Sequence, residues 1–167
     1  MKKLIICFAL LSIVISTVKA QSVVAKREFN NTLKAYFEAK NALSKDNTTQ
    51  ASASVKNLIT NIERFPVKTL STAQQSLWAK ESVVITKAAK AISTEKEIKE
   101  QRKSFWSLST AMVKLAKDFN MNSSEVYVQY CPHAKKSWLS EVEAIQNPYY
   151  GSMMFACGEV TETIAKK

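Results

Sequence analysis

Cys131, His133, Met154 and Cys157 lie close together near the C-terminal end of a 167-residue chain, and His133 is its sole histidine. Two thiols, an imidazole and a thioether suit a soft metal ion. Thiolate and thioether sulfur favour Cu(I) and ions like it, whereas a thioether is an unusual ligand for zinc. The spacing allows convergence. In an extended segment residues two apart face the same way, so Cys131 and His133 would share a side. Met154 and Cys157 are three apart, which one helical turn or a tight loop brings to one side. Two other chemistries use the same residues. A Cys131–Cys157 disulfide would staple the tail, as an even cysteine count in an exported protein suggests. Alternatively, Cys131 and His133 could form a thiolate–imidazolium pair. That catalytic reading lacks an orienting Asp or Asn and has no Cys-x-x-Cys motif to support it.

The even count depends on a leader being removed. Met1-Lys2-Lys3 is a basic start, Leu4 to Ile15 is almost wholly apolar, and Val18-Lys19-Ala20 precedes the expected cleavage point. This is the pattern of a secretory signal peptide over residues 1–20. The apolar run is short for a span of about 20 residues. Cys7 would leave with the leader, and residues 21–167 would form one exported domain, periplasmic or secreted. No second long apolar run follows, so no transmembrane segment is expected after cleavage. Loss of Lys2, Lys3 and Lys19, with no acidic residue among the twenty, takes the formal charge from +10 to +7. An exported chain rarely meets nucleic acid. The charge reads as solubility with weak attraction to anionic surfaces. Around residues 95–103, Lys96, Lys99, Arg102 and Lys103 alternate with Glu95, Glu97 and Glu100, as on a solvated helix face.

The elements that must position the tail residues are helical. Phe29, Leu33, Tyr36, Phe37 and Leu43 mark a helix over Val24–Ser44, ended by the polar run SKDNTTQ. Val55, Leu58, Ile59, Ile62 and Phe65 mark a second, stopped by Pro66. Ser71 with Gln74 reads as a capping box that opens a third, with Leu77, Val84, Ile85, Ala88 and Ile92 on one face. Thr94 with Glu97 reads as a second box. Phe105, Leu108, Met112, Leu115 and Phe119 then alternate by threes and fours until Asn120–Ser124. Met112 and the stripe aromatics are expected in the core, with Trp78 and Trp106 in the core or at its boundary. The expected fold is mainly α: an antiparallel four-helix bundle followed by a short C-terminal loop or β-hairpin-like tail over residues 125–164. In that tail EVYVQYC alternates as a strand, and GEVTETI is a weaker second one. Antiparallel pairing would set Cys131 beside Cys157. Trp138 and the turn Asn147-Pro148-Tyr149-Tyr150-Gly151 fall in the intervening loop.

The segments VYVQYCPHA, WLS, NPYYG and MFACGEV resemble an uncharacterised exported bacterial domain, domain-of-unknown-function family 3347. AYFEAKNALSKDN and QRKSFWSLSTAM resemble its helical part. The resemblance covers nearly all of residues 21–167. Members occur as small exported proteins and as fusions to the periplasmic adaptors of copper and silver efflux systems. The resemblance therefore implies a non-enzymatic periplasmic domain that binds Cu(I) or a similar soft ion. Its partner would be a heavy-metal efflux adaptor or another periplasmic protein. It matches Cys131, Met154 and Cys157 to family positions and leaves Met153 as a reserve ligand. His133 stands where the family usually has methionine, which leaves Zn(II) or Cu(II) open. Trp138, Asn147, Tyr149 and Tyr150 match as well, and with Pro148 and Gly151 they are expected to shape the site.

Overall fold

The computed structural model describes residues 2–167, with side chains described from Val23 onward. The expected leader, its cleavage point and Cys7 lie outside the residues so described. Four helices are followed by a small sheet: α1 (Lys2–Ser44), α2 (Thr48–Arg64), α3 (Thr72–Thr94), α4 (Ile98–Phe119), β1 (Val126–Cys131), β2 (Lys136–Ser140) and β3 (Glu159–Ile164). Among the described residues, no helix is long and apolar enough to cross a membrane.

The helix boundaries follow local chemistry. Asp46 takes a left-handed turn (φ 57°) between α1 and α2, and Asn47 caps α2 by accepting from the Gln50 N–H at 2.9 Å. Ser71 opens α3 with a complete capping box to Gln74. The second expected box does not form. Thr94 is the last residue of α3, and its hydroxyl donates back to the carbonyls of Lys90 and Ala91 at 3.3 and 3.1 Å. Such back-bonding competes with capping for a threonine hydroxyl. Glu97 precedes α4 without a side-chain cap bond. Ser71→Ala should therefore cost about 1 kcal/mol, and Thr94→Ala less than about 0.5. Urea denaturation of the two variants measures the contrast.

The core forms along helical stripes. On α4, Phe105, Leu108, Met112, Leu115 and Phe119 are all buried. On α3 the expected face is rotated. Trp78, Glu81, Ile85, Ala88, Ala89 and Ile92 are buried, while Val84 is exposed. Steps of three and four from Trp78 reach Ile85 and Ile92 but bypass Val84, one residue out of phase. Glu81 is tolerated there because it pairs with Lys114 of α4 at 3.1 Å. Consecutive helices pack on one another. The rings of Phe29 and Phe119 (5.3 Å) and of Tyr36 and Phe105 (5.6 Å) join α1 to α4. Trp106 is half exposed and sits under the Lys136 ammonium, 5.1 Å from its ring.

The tail is a three-stranded antiparallel sheet in the order β2-β1-β3. Here the structure corrects the expected loop: Trp138 lies on a strand. β1 and β2 form a hairpin closed by residues 132–135, with Lys135 left-handed (φ 54°) and its N–H bonded to the Cys131 carbonyl at 2.8 Å. β3 pairs with β1 as expected, Val126 opposite Ile164 and Tyr130 opposite Glu159. An irregularity beside Val128 and Gln129 leaves Thr161 without an opposing residue. The helices grip β2. The Leu139 N–H donates to the Tyr36 hydroxyl at 3.0 Å, and Ser109 Oγ donates to the Ser137 carbonyl at 3.1 Å. Trp138 is fully buried and meets Tyr149 edge-on at 6.0 Å.

Candidate metal centre

The β1–β3 ladder delivers the two cysteines. Cys131 ends β1, and Cys157 lies just before β3 where the chain enters the sheet. Their sulfurs are 3.2 Å apart, both as free thiols. The hairpin turn delivers the imidazole, whose Nδ1 lies 3.4 Å from Cys157 Sγ. One ligand atom from each of Cys131, His133 and Cys157 falls within 4.8 Å of the others. Cys131 and His133 converge as expected, although the segment between them is a turn rather than an extended strand. His133 contacts Cys157 at its tip, while Cys131 Sγ accepts the Ala134 N–H at 3.4 Å.

These separations fit a small ion. Two sulfurs and a nitrogen around a tetrahedral zinc-sized ion stand about 3.5–3.8 Å apart. The observed 3.2 and 3.4 Å require a few tenths of an ångström of opening, and the Cys131–His133 pair, which lies within 4.8 Å, has to settle to the same spacing. Three protein ligands leave a coordination position free. The cluster could thus hold a metal ion.

The thiols are electrostatically unequal. Burial works to raise the Cys131 thiol. The N–H groups of Ala134 and His133, the Cys157 thiol and the Asn147 amide all favour its thiolate, and together they hold it below the usual thiol range. Cys157 is raised, chiefly because its proton bridges to Cys131, and further by burial and by the Cys131 charge. The fully buried Cys131 is therefore the more acidic of the two thiols, and the half-buried Cys157 the less acidic.

The turn expected at residues 147–151 is the frame of this centre. Asn147 is fully buried. Its Oδ1 accepts the N–H groups of Tyr149 and Tyr150 at 2.8 and 3.2 Å, and its Nδ2 donates to the Cys157 carbonyl at 2.9 Å. Gly151 closes the turn at φ 57°, with its N–H bonded to the Asn147 carbonyl at 3.0 Å. A β-carbon there would collide with Arg102 and Asp46. Those two residues are the part of the frame that sequence reading missed. Arg102 of α4 is buried rather than solvated. It pairs with Asp46 and donates to the carbonyls of Leu43 at 2.8 Å and Pro148 at 3.1 Å. Asp46 Oδ2 in turn accepts the Ser152 N–H at 3.1 Å. The helices are thus latched to the turn that carries Cys157.

Gly158 passes the chain through a narrow gap. Its φ is 149°, and a β-carbon would lie 2.9 Å from the Tyr130 carbonyl oxygen and 3.0 Å from the Trp138 ring. Gly158→Ala is expected to cost about 1–3 kcal/mol and to displace Cys157 from Cys131. Thermal unfolding reads the first effect, and the spacing of an inter-thiol crosslinker the second. Of the two methionines, Met154 is half-buried, and its carbonyl accepts the Cys157 N–H at 3.0 Å. Met153 is 75% exposed and lines a groove shared with His133.

The family model described as "Protein of unknown function (DUF3347)" matches residues 32–124, more than half of the chain. The chain belongs to this family. The segment matched to DUF3347 runs from α1 through α4 and stops at Ser124, two residues before β1. It contains Asp46 and Arg102, the helical half of the latch, and ends before the Cys–His–Cys cluster. No curated protein and no solved structure matches the chain.

Proposed function

We propose that this DUF3347 protein is an exported, non-enzymatic accessory that binds Cu(I) or a similar soft ion and buffers it or passes it to an efflux system. Cys131, His133 and Cys157 are the ligands, and Met154 is the fourth candidate. The four helices act as an antiparallel bundle that carries the sheet. The observation that supports this reading most is the meeting of two sulfurs and one imidazole nitrogen within 4.8 Å at a single point. Thiolate donors favour Cu(I), and the imidazole keeps Zn(II) within the range of the site. A fusion partner or neighbour of the heavy-metal efflux adaptor type is the partner we assign, on the family resemblance. The test is a titration of Cu(I) into reduced protein against a chromophoric chelator. Stoichiometric removal of one Cu(I) per chain supports the reading. Retention of all the metal by the chelator contradicts it.

The 3.2 Å between the sulfurs also favours a second reading, a structural or partner-binding module stapled by a Cys131–Cys157 bridge with no metal. Closure to a bond of about 2.05 Å needs only a small movement of each side chain. Mass spectrometry of protein isolated under native redox conditions distinguishes the two. A chain lacking two hydrogens is the bridged form, and two free thiols exclude a constitutive bridge.

A further inference from the structure

A groove of about 720 Å³ opens beside the cluster, and His133 is part of its wall. That volume is the size of a small-molecule site. Tyr149 and Tyr150 contribute its aromatic surface, and Lys99, Lys103 and Lys136 its charge, against the single carboxylate of Glu100. The fourth cation in its lining, Arg102, is already committed to Asp46 and two carbonyls. The Lys103–Glu100 pair is exposed and 3.6 Å long, so it neutralises little. The groove is therefore net positive, and it adjoins the one cluster ligand that is both exposed and imidazole.

We propose that this groove receives the metal as a small anionic complex; this rests on the metal-binding reading above. A free soft cation would be repelled by the three lysines. An ion held by anionic ligands would be drawn in, and its delivery rate would be raised by the field. The exposed Met153 thioether in the same wall offers a transient soft ligand during exchange. The step is ligand exchange without change of oxidation state. Bonds from the metal to the carrier ligands break, and bonds to Cys131, Cys157 and His133 form. The thiol protons of Cys131 and Cys157 leave to solvent, and the anionic carrier ligands depart along the lysine-lined wall.

The test uses the full reduced chain and two coloured Cu(I) carriers, the anionic bis-bicinchoninate complex and the cationic bis-neocuproine complex. Transfer is followed by stopped flow for the wild type and for a Lys99→Glu/Lys103→Glu variant. Both lysines are exposed on α4, and circular dichroism confirms that the variant is folded. Charge reversal should slow transfer from the anionic carrier by about tenfold at low salt, and should leave unchanged or speed transfer from the cationic one. The difference should fade as added salt shortens the screening length to about 8 Å or less. Equal rates for variant and wild type, or equal slowing with both carriers, overturn the proposal and leave metal binding intact. Failure of both carriers to load the wild type overturns both.

Discussion

A Cys131→Ser/Cys157→Ser chain is expected to lose Cu(I) binding by several orders of magnitude while keeping its helices. The two thiols are the strongest soft donors in the proposed ligand set, and a serine hydroxyl is a poor substitute for Cu(I). Cys131 belongs to the core from the sheet and Cys157 packs against it, but neither lies on a helix, so the helical circular dichroism should be retained. Removing a supporting residue should cost less. Asn147→Ala keeps both thiols but loses the amide that holds the Cys157 carbonyl and favours the Cys131 thiolate. Loss of such outer support typically costs about 10–100-fold in affinity. The pH dependence has a definite sign. Metal binding expels thiol protons, so apparent affinity rises with pH by up to about tenfold per unit for each proton released. Cys131, held low, stops contributing to that slope first as pH rises. Cys157, held high by its bond to Cys131, keeps the slope positive through the ordinary thiol range. Competition titrations at a series of pH values measure this. Affinity that falls with rising pH would contradict thiolate ligation.

Arg102→Ala is expected to be the most destabilising single change outside the apolar core, by about 3 kcal/mol. The guanidinium serves three partners on two separate segments: the Leu43 carbonyl and Asp46 at the α1–α2 turn, and the Pro148 carbonyl in the tail. Truncation leaves the Pro148 carbonyl without its donor, leaves the Leu43 carbonyl only the 3.3 Å bond from the Asp46 N–H, and frees the turn that leads to Cys157. The value lies at the low end for a broken buried pair because the Asp46 side chain is 35% exposed and regains water. Arg102→Lys should rescue little, since one ammonium cannot reproduce the planar fork. Urea denaturation provides the check, and a loss below about 1 kcal/mol would remove Arg102 from the account. Acid adds a signature. Ser152 and then Arg102 hold the Asp46 carboxyl below its usual value. A carboxyl lowered by folding stabilises above its unfolded pKa, and that contribution is lost as pH falls through the folded one. Wild-type stability should therefore drop below about pH 4, and the drop should be smaller in Arg102→Ala, whose Asp46 has less to lose.

The sequence carries the helices and the meeting of the cysteines more plainly than the frame around them. On α4 the alternation of threes and fours leaves one face to bury, and all five stripe residues are buried. On α3 two apolar neighbours, Val84 and Ile85, compete for the core; the position of Trp78 settles the phase, and Val84 turns outward. The cysteine pair was legible because antiparallel pairing of β1 with β3 has one natural direction. β2 was not. KSWLS is short, and its pairing is decided by Tyr36, Ser109 and Tyr149, which lie outside it in sequence. His133 reaches Cys157 from a turn and not from the extended segment expected, since Lys135 turns the chain left-handed two residues later. Arg102 reads as one more charge on a charged helix, because its partners at Leu43, Asp46 and Pro148 are distant in sequence.

The central claim is that Cys131, His133 and Cys157 jointly hold a soft metal ion. X-ray absorption at the copper edge, on protein loaded with one equivalent of Cu(I) under reducing conditions, tests it most directly. The account predicts an inner shell of two sulfur scatterers with the outer-shell pattern of one imidazole, and loss of the imidazole pattern in His133→Ala. An inner shell of nitrogen and oxygen alone, or a spectrum indifferent to both cysteines, would contradict it.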